Sequence, residues 1–387
     1  MIRAQFLAGA GAAAGLLRQA QDRLIAQVQP YSKTLRIGVC APMSGDDRRI
    51  GQQLVSGVRA GVEQMNQVRS AFDGTLLFDT YDDRNTAADA SVQATFAVNA
   101  RDVVAVIGHV SAAATLNTEQ TYARAAMPLI VPTVTDDRVT SQGYRNVFRL
   151  PTKDSDEGGL LAAYVVQTGS KAPHVVTQDG DYGPDVAAAF IRTAGTLHVN
   201  AEGTQFAIDK PDYGKAADNV LAHKPDCVVL AGNAGDMGPL LGLLRAQGYT
   251  GRFVGTQGFF DPLTVGKLVK DAEGMVVSTS VPYYPLAPTA VRDVQEYQAH
   301  YGPLTPIAAY GYAAVQLVHL ATRRSGAVTR IGIVRALATG GTYDTVTGSY
   351  IFGPYGDVLQ PNCYFYAVRN GKFAYERQAR PSGFMLK

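Results

Sequence analysis

The sequence predicts an α/β fold of two Rossmann-like lobes, each built around a parallel sheet. Three observations lead there. Short runs rich in Val, Ile and Leu alternate with segments of helical periodicity from Lys33 to about Ser278. The alternation falls into two arrays of similar size, without a repeat in the letters. At 387 residues the chain is too long for one ordinary core.

The first array begins with the strand Leu35–Cys40 and the loop Ala41-Pro42-Met43-Ser44-Gly45. A helix from about Ile50 to Gln67 follows, with Leu54, Val58, Val62 and Met65 spaced as one apolar face. Leu76–Tyr81 reads as the next strand and ends in Asp82-Asp83; a helix from about Thr86 to Asn99 leads on. Val103–Ile107 is a β-branched run, as a strand buried on both faces requires. Gly108 and His109 break it, and Ser111 is a good N-cap for a helix to about Ala125. Leu129–Val131 is another strand, stopped by Pro132 and spilling into Thr133, Val134, Thr135, Asp136 and Asp137. With right-handed crossovers this order gives a doubly wound sheet.

In the second array, Asp154 or Ser155 caps a helix to about Gln167. Strands follow at Pro173–Thr177, Glu202–Ala207, Cys227–Leu230, Phe253–Gly255 and Met275–Ser278. Helices over about 184–196, 213–222 and 235–247 separate them. Then come helices over about 289–301, 307–324 and 329–338. The tail changes character: 350–352, 364–368 and 372–375 read as strands, with Asn370-Gly371 as a hairpin turn.

The stretch from Val103 to Asp137 is the candidate site. Two neighbouring strands end there in small and hydroxyl-bearing residues, and open α/β sheets bind ligands outside the carboxyl ends of their strands. A helix N-terminus at that place offers unpaired N–H groups and partial positive charge to an anion. The plainer alternative is a structural strand–helix–strand unit with Ser and Thr as ordinary caps.

Other classes find little support. A net charge of +2 with no basic stripe gives no case for nucleic acid. Cys40, Cys227 and Cys363 lack metal spacing and sit by apolar runs, as buried thiols do. There is no G-x-S-x-G elbow and no P-loop. His109, His174, His198, His223, His300 and His319 form no metal-spaced pair, so no metal and no cofactor are expected. Gly9, Gly11 and Ala14 match a dinucleotide fingerprint, but no strand precedes them. Residues 1–32 carry Arg3 and an Ala/Gly/Leu run, which reads as an export signal; a retained N-terminal helix is the alternative.

Several of these segments resemble the type I periplasmic binding proteins, in the leucine/isoleucine/valine-binding branch. The likeness is carried by VIGH and Thr115, Pro132-Thr133-Val134-Thr135, GYRNVFR at 143–149 and QDGDYG at 178–183. It continues through 226–248, FVGTQG at 253–258, DAEGMVV at 271–277 and TGSYIFGPYGD at 347–357, so that it spans about residues 34–376. The resemblance implies two closing lobes joined by three crossovers, not an enzyme. Lobe 1 would comprise 33–152 plus 283–345, and lobe 2 would comprise 153–282 plus 346–387. It also implies a monomeric, periplasmic protein that hands a small carboxylate-bearing solute to the membrane permease of an ABC importer. Arg84 and Ser111 stand where branched-chain members carry a disulfide.

Carried over residue by residue, the resemblance implies solute contacts at Ala112, Thr115, Thr133, Thr135, Tyr182, Asn233 and Gln257. Ser44, His109 and Tyr310 are further candidates, and Tyr310 and Tyr312 can equally be core. Ala112 keeps the backbone N–H of a position that is usually Ser. Gln257 stands where the branch has Glu paired with the solute ammonium. A buried ammonium wants a full negative charge, which Asp261 or Asp136 could supply from another direction. An oxo or aromatic acid, or an amide, therefore fits as well as an amino acid. A ligand-sensing receptor module is the alternative function. A nicotinamide enzyme would need a glycine fingerprint that CAPMSG at 40–45 does not provide.

Overall fold

The computed structural model describes residues 34–67, 74–180, 182–268, 270–282, 288–361 and 363–379. The signal-like segment lies outside them. The first sheet is wholly parallel, in the order β2-β1-β3-β4-β5. Its strands are β1 (Thr34–Ala41), β2 (Thr75–Asp82), β3 (Val103–Gly108), β4 (Leu129–Val131) and β5 (Val147–Arg149). Between them run α1 (Arg48–Gln67), α2 (Ala87–Asn99), α3 (Ala112–Arg124) and the short α4 (Arg138–Ser141). Strand β3 is buried along its whole length, as an apolar run in the middle of a two-faced sheet must be. Neither β5 nor α4 is anticipated: each is only three or four residues long and mixes Arg with apolar residues, so neither forms an apolar run like Leu129–Val131.

The second sheet has the order β14-β13-β10-β9-β8-β6-β7. It contains β6 (Pro173–Gln178), β7 (Glu202–Phe206), β8 (Cys227–Ala231), β9 (Arg252–Gly255) and β10 (Val276–Thr279), which pair in parallel. Helices α5 (Asp154–Gln167), α6 (Pro184–Thr196), α7 (Tyr213–Ala222), α8 (Ala234–Ala246) and the short α9 (Pro262–Lys267) belong to this half.

The chain then returns to the first half. Helices α10 (Pro288–Tyr301), α11 (Pro306–Ser325) and α12 (Arg330–Ala338) bury Val294, Tyr312, Leu317 and Ile333 in one core with Ile37, Leu54 and Ile107. Helix α11 crosses α1 so closely that a Cβ on Gly57 would lie 1.9 Å from the Ala308 carbonyl oxygen. Strands β11 (Tyr343–Thr345) and β12 (Gly348–Tyr350) form a small ribbon in this same core. Only then does the chain cross back: β13 (Cys363–Arg369) pairs antiparallel with β10, and β14 (Lys372–Ala379) pairs antiparallel with β13 at the sheet edge. Tyr343, Val346, Tyr350 and Phe352 bury their apolar surface in the same core as Ile37 and Leu54. Asn370 and Gly371 turn the last hairpin at φ 54° and 69°. All three cysteines are free and buried.

Candidate functional site

A cleft of about 360 Å³ opens between the lobes at the carboxyl ends of β3, β4, β6, β8 and β9. This is where a doubly wound sheet leaves room for a ligand. The first lobe supplies Val110, Ala112, Thr133, Val134, Thr135 and Asp136. The second supplies Asp154, Tyr182, Asn233, Gln257 and Gly258, and Ile50, Pro151, Ile307 and Tyr310 add an apolar wall. Gly258 is confined: a Cβ there would sit 2.4 Å from the Gly232 carbonyl oxygen.

On the first-lobe side, Ser111 caps α3 and its hydroxyl accepts from Ala114 N. The first N–H groups of the helix, at Ala112 and Ala113, have no intrahelical acceptor, and Ala112 lines the cleft. Thr133 leans its hydroxyl toward the Val110 carbonyl at 3.4 Å. The Thr135 carbonyl is already engaged by Asp154 N and by Arg149 Nη1. Arg149 is 1% exposed and pins this loop from behind. Its guanidinium donates to the carbonyls of Thr135 and Asp136, to the Thr140 hydroxyl and to Asp357 Oδ1 at 2.8 Å.

The second-lobe side is organised by two acids of the first turn of α5, three residues apart and so on one helix face. Glu157 is buried and accepts four hydrogen bonds: from Ser278 Oγ at 2.6 Å, Gln257 N at 2.7 Å, Gln257 Nε2 at 2.9 Å and the Tyr182 hydroxyl at 3.0 Å. Burial lifts its pKa, and those four donors pull it back. Gln257 Nε2 gives one of its two N–H groups to Glu157, which fixes the amide and leaves its oxygen and one N–H for a ligand.

Asp154 is the opposite case. It is fully buried, it lines the cleft, and neither carboxyl oxygen has a sound hydrogen-bond partner. Desolvation pushes its pKa up to about 8, although the nearby Thr135 hydroxyl opposes the shift. The N-cap of α5 is Lys153; Asp154 lies one residue inside the helix, so its carboxyl faces the cleft instead of closing the helix end.

Among the expected contacts, Ala112, Thr133, Thr135, Tyr182, Asn233, Gln257 and Tyr310 come together on the cleft. Three do not. Thr115 is buried one turn into α3, where its hydroxyl donates to the Ser111 carbonyl. Ser44 donates to Asp82 Oδ2 at 2.6 Å. His109 is fully buried between Asp83 Oδ2 at 2.5 Å and the Tyr122 hydroxyl at 3.1 Å. Asp136 borders the cleft, but its charge is held by Arg138, and Asp261 is not among the lining residues. Sequence reasoning missed Asp154 and Glu157 as site residues, having read Asp154 only as a helix cap. The signal it could have used was a pair of acids at i and i+3 after a proline-containing crossover.

Two sheet-centred lobes facing one cleft, with a helix N-terminus on one side and two buried acids on the other, have the architecture of a two-lobed solute-binding protein. Residues 34–372 match the periplasmic binding protein family, and the chain belongs to it. It is 26% identical over 329 residues to the leucine-specific-binding protein of Salmonella typhimurium (strain LT2), covering 84% of this chain and 88% of that protein. The crystal structure of leucine-binding protein LivK from Thermotoga maritima MSB8 superposes with a TM-score of 0.80 at 23% identity, covering 90% of this chain and 100% of that one. A solute-binding protein from Rhodopseudomonas palustris BisB5, solved with 3,4-dihydroxybenzoic acid, shares the fold at a TM-score of 0.78 and 17% identity, covering 90% and 98%. Among the described residues no helix is long and apolar enough to cross a membrane.

Proposed function

We propose that the protein binds an α-amino acid with an apolar side chain and delivers it to the membrane permease of an ABC importer, working as an exported monomer in the periplasm. One observation carries the choice of solute: Asp154, buried and unpartnered, stands in the same cleft as the N-terminus of α3. A carboxylate would lie against the Ala112 N–H. The ammonium would meet Asp154, the Gln257 amide oxygen and Thr135. The side chain would face Ile50, Pro151, Ile307, Tyr182 and Tyr310. The negative charge that Gln257 lacks thus comes from Asp154, while Glu157 holds Gln257 and Tyr182 in place. The relatives named for leucine support the same solute class.

A second reading has its own observation. Held up near pH 8, Asp154 is protonated at neutral pH and can donate a hydrogen bond to an oxo or hydroxyl oxygen. A 2-oxo acid or an aromatic acid would then replace the amino acid, with neutral Gln257 beside it. A thermal-shift panel separates the two. Leucine, isoleucine, valine and phenylalanine are run against their 2-oxo acids and 3,4-dihydroxybenzoate. Stabilisation of roughly 2.7 kcal/mol is expected at 100 times the dissociation constant. A shift with the amino acids alone supports the first reading, and a shift with the oxo or aromatic acids alone moves the assignment to the second. No shift with any of them sinks both.

A further inference from the structure

We propose that His174, Glu202 and His223 form a binding site for Zn²⁺ or another divalent ion of its class, on the edge of the second lobe and apart from the cleft. These residues show no metal spacing in the sequence. The fold assembles them: His174 and Glu202 are partners in the parallel register of β6 and β7, and His223 is the C-cap of α7. One ligand atom from each lies within 4.8 Å of the others. Four donors at bonds of about 2.1 Å in a tetrahedron stand about 3.4 Å apart, so closing the site asks for a movement on the order of 1 Å. Two of the three side chains can make it, since His223 and Glu202 are 38% and 49% exposed.

The outer partners are in place. The His223 Nδ1 lies 2.7 Å from the Asn219 carbonyl oxygen, which can only accept, so Nδ1 carries a proton. Its Nε2 shares a further proton with Glu202, which an incoming ion must displace to take both groups as ligands. That Nε2 is 2.6 Å from Glu202 Oε2. His174 Nε2 lies 2.8 Å from the Thr204 hydroxyl, while its Nδ1 is buried with no partner at all. The tautomer that donates from Nε2 to Thr204 leaves Nδ1 as a lone pair open to a ligand. Two imidazoles and one carboxylate suit zinc, with water completing the shell. The site sits at the amino ends of β6 and β7, whereas the cleft lies at the carboxyl ends. A bound ion would clip the edge strand β7 to its neighbour and to α7.

The test is a calorimetric titration of the metal-stripped protein with ZnCl₂, beside the variants His223→Gln and Glu202→Gln. Both positions are exposed, so the fold is expected to survive, and the melting temperature in EDTA checks this. His300→Gln, exposed elsewhere, is the control. One ion per chain is expected, with a rise in melting temperature that EDTA reverses. Each site variant should lose at least the roughly 10–100-fold in affinity that loss of an outer partner alone costs, while the control keeps wild-type binding. Absence of saturable binding overturns the proposal. So does binding that both site variants leave unchanged.

Discussion

Replacing Asp154 by Asn should make the empty protein more stable and the solute-bound protein harder to form. The side chain is fully buried, without partners, and its pKa rises from 3.8 to about 8. A group whose folded pKa is raised lends most stability below its unfolded value and loses it as pH climbs to the folded one. At pH 7 that is about three units, a ceiling of roughly 4 kcal/mol. The Asn variant escapes this cost and should gain a few kcal/mol in urea unfolding of the empty form. It also leaves the solute ammonium buried without a counter-charge, which costs about 3–5 kcal/mol, or 100-fold and more in affinity. In the wild type the required carboxylate must first be made, so leucine affinity should rise about tenfold per pH unit from 6 to 8 and then level off. Urea titration and calorimetry over that range read all three effects. An Asn variant that is less stable when empty, or that binds leucine as wild type does, refutes the reasoning. Leucine affinity that falls with pH does so as well.

Other outcomes follow from the same structure. Glu119 is buried with both oxygens unpartnered and is raised from 4.5 to about 8. Like Asp154 it drains stability between about pH 4 and 8, by up to ~1.4 kcal/mol per unit. Urea midpoints at pH 5 and 8 should therefore lie closer together in Glu119→Gln than in wild type; an unchanged gap argues against this. Arg149→Met should destabilise by about 1–3 kcal/mol, because it removes charge-assisted hydrogen bonds to Asp357 and to two loop carbonyls, which keep only their other partners. Denaturant unfolding checks it, and a cost under about 1 kcal/mol contradicts it. Gly57→Ala should force α1 and α11 apart at a cost of about 1–3 kcal/mol, read as a lower melting temperature; an unchanged melting temperature speaks against so tight a crossing.

Much of this fold is legible in the letters because its long elements are periodic. The apolar face of Leu54, Val58 and Val62 and the cap Ser111 place helices within a residue or two of where they lie. Short pieces carry too few residues for a period, and without an apolar run β5 stays hidden inside GYRNVFR. The return of Tyr343–Phe352 to the first core depends on contacts with helices far away in sequence. The strand ends between Val103 and Asp137 are readable from topology, whereas Tyr182, Asn233 and Gln257 are reached only through the family resemblance. What local sequence cannot show is pairing at a distance. Glu157 meets Gln257 across one hundred positions, and His174 meets Glu202 through strand register. Asp154 looks like a cap from its letter, and only burial reveals an acid held without partners.

The most direct test of the account is a crystal structure of the protein with leucine bound. The carboxylate should lie within about 3.2 Å of the Ala112 N–H, and the ammonium within about 3.2 Å of an Asp154 oxygen and of the Gln257 amide oxygen. A leucine seated with its ammonium away from Asp154, or outside this cleft, would contradict it.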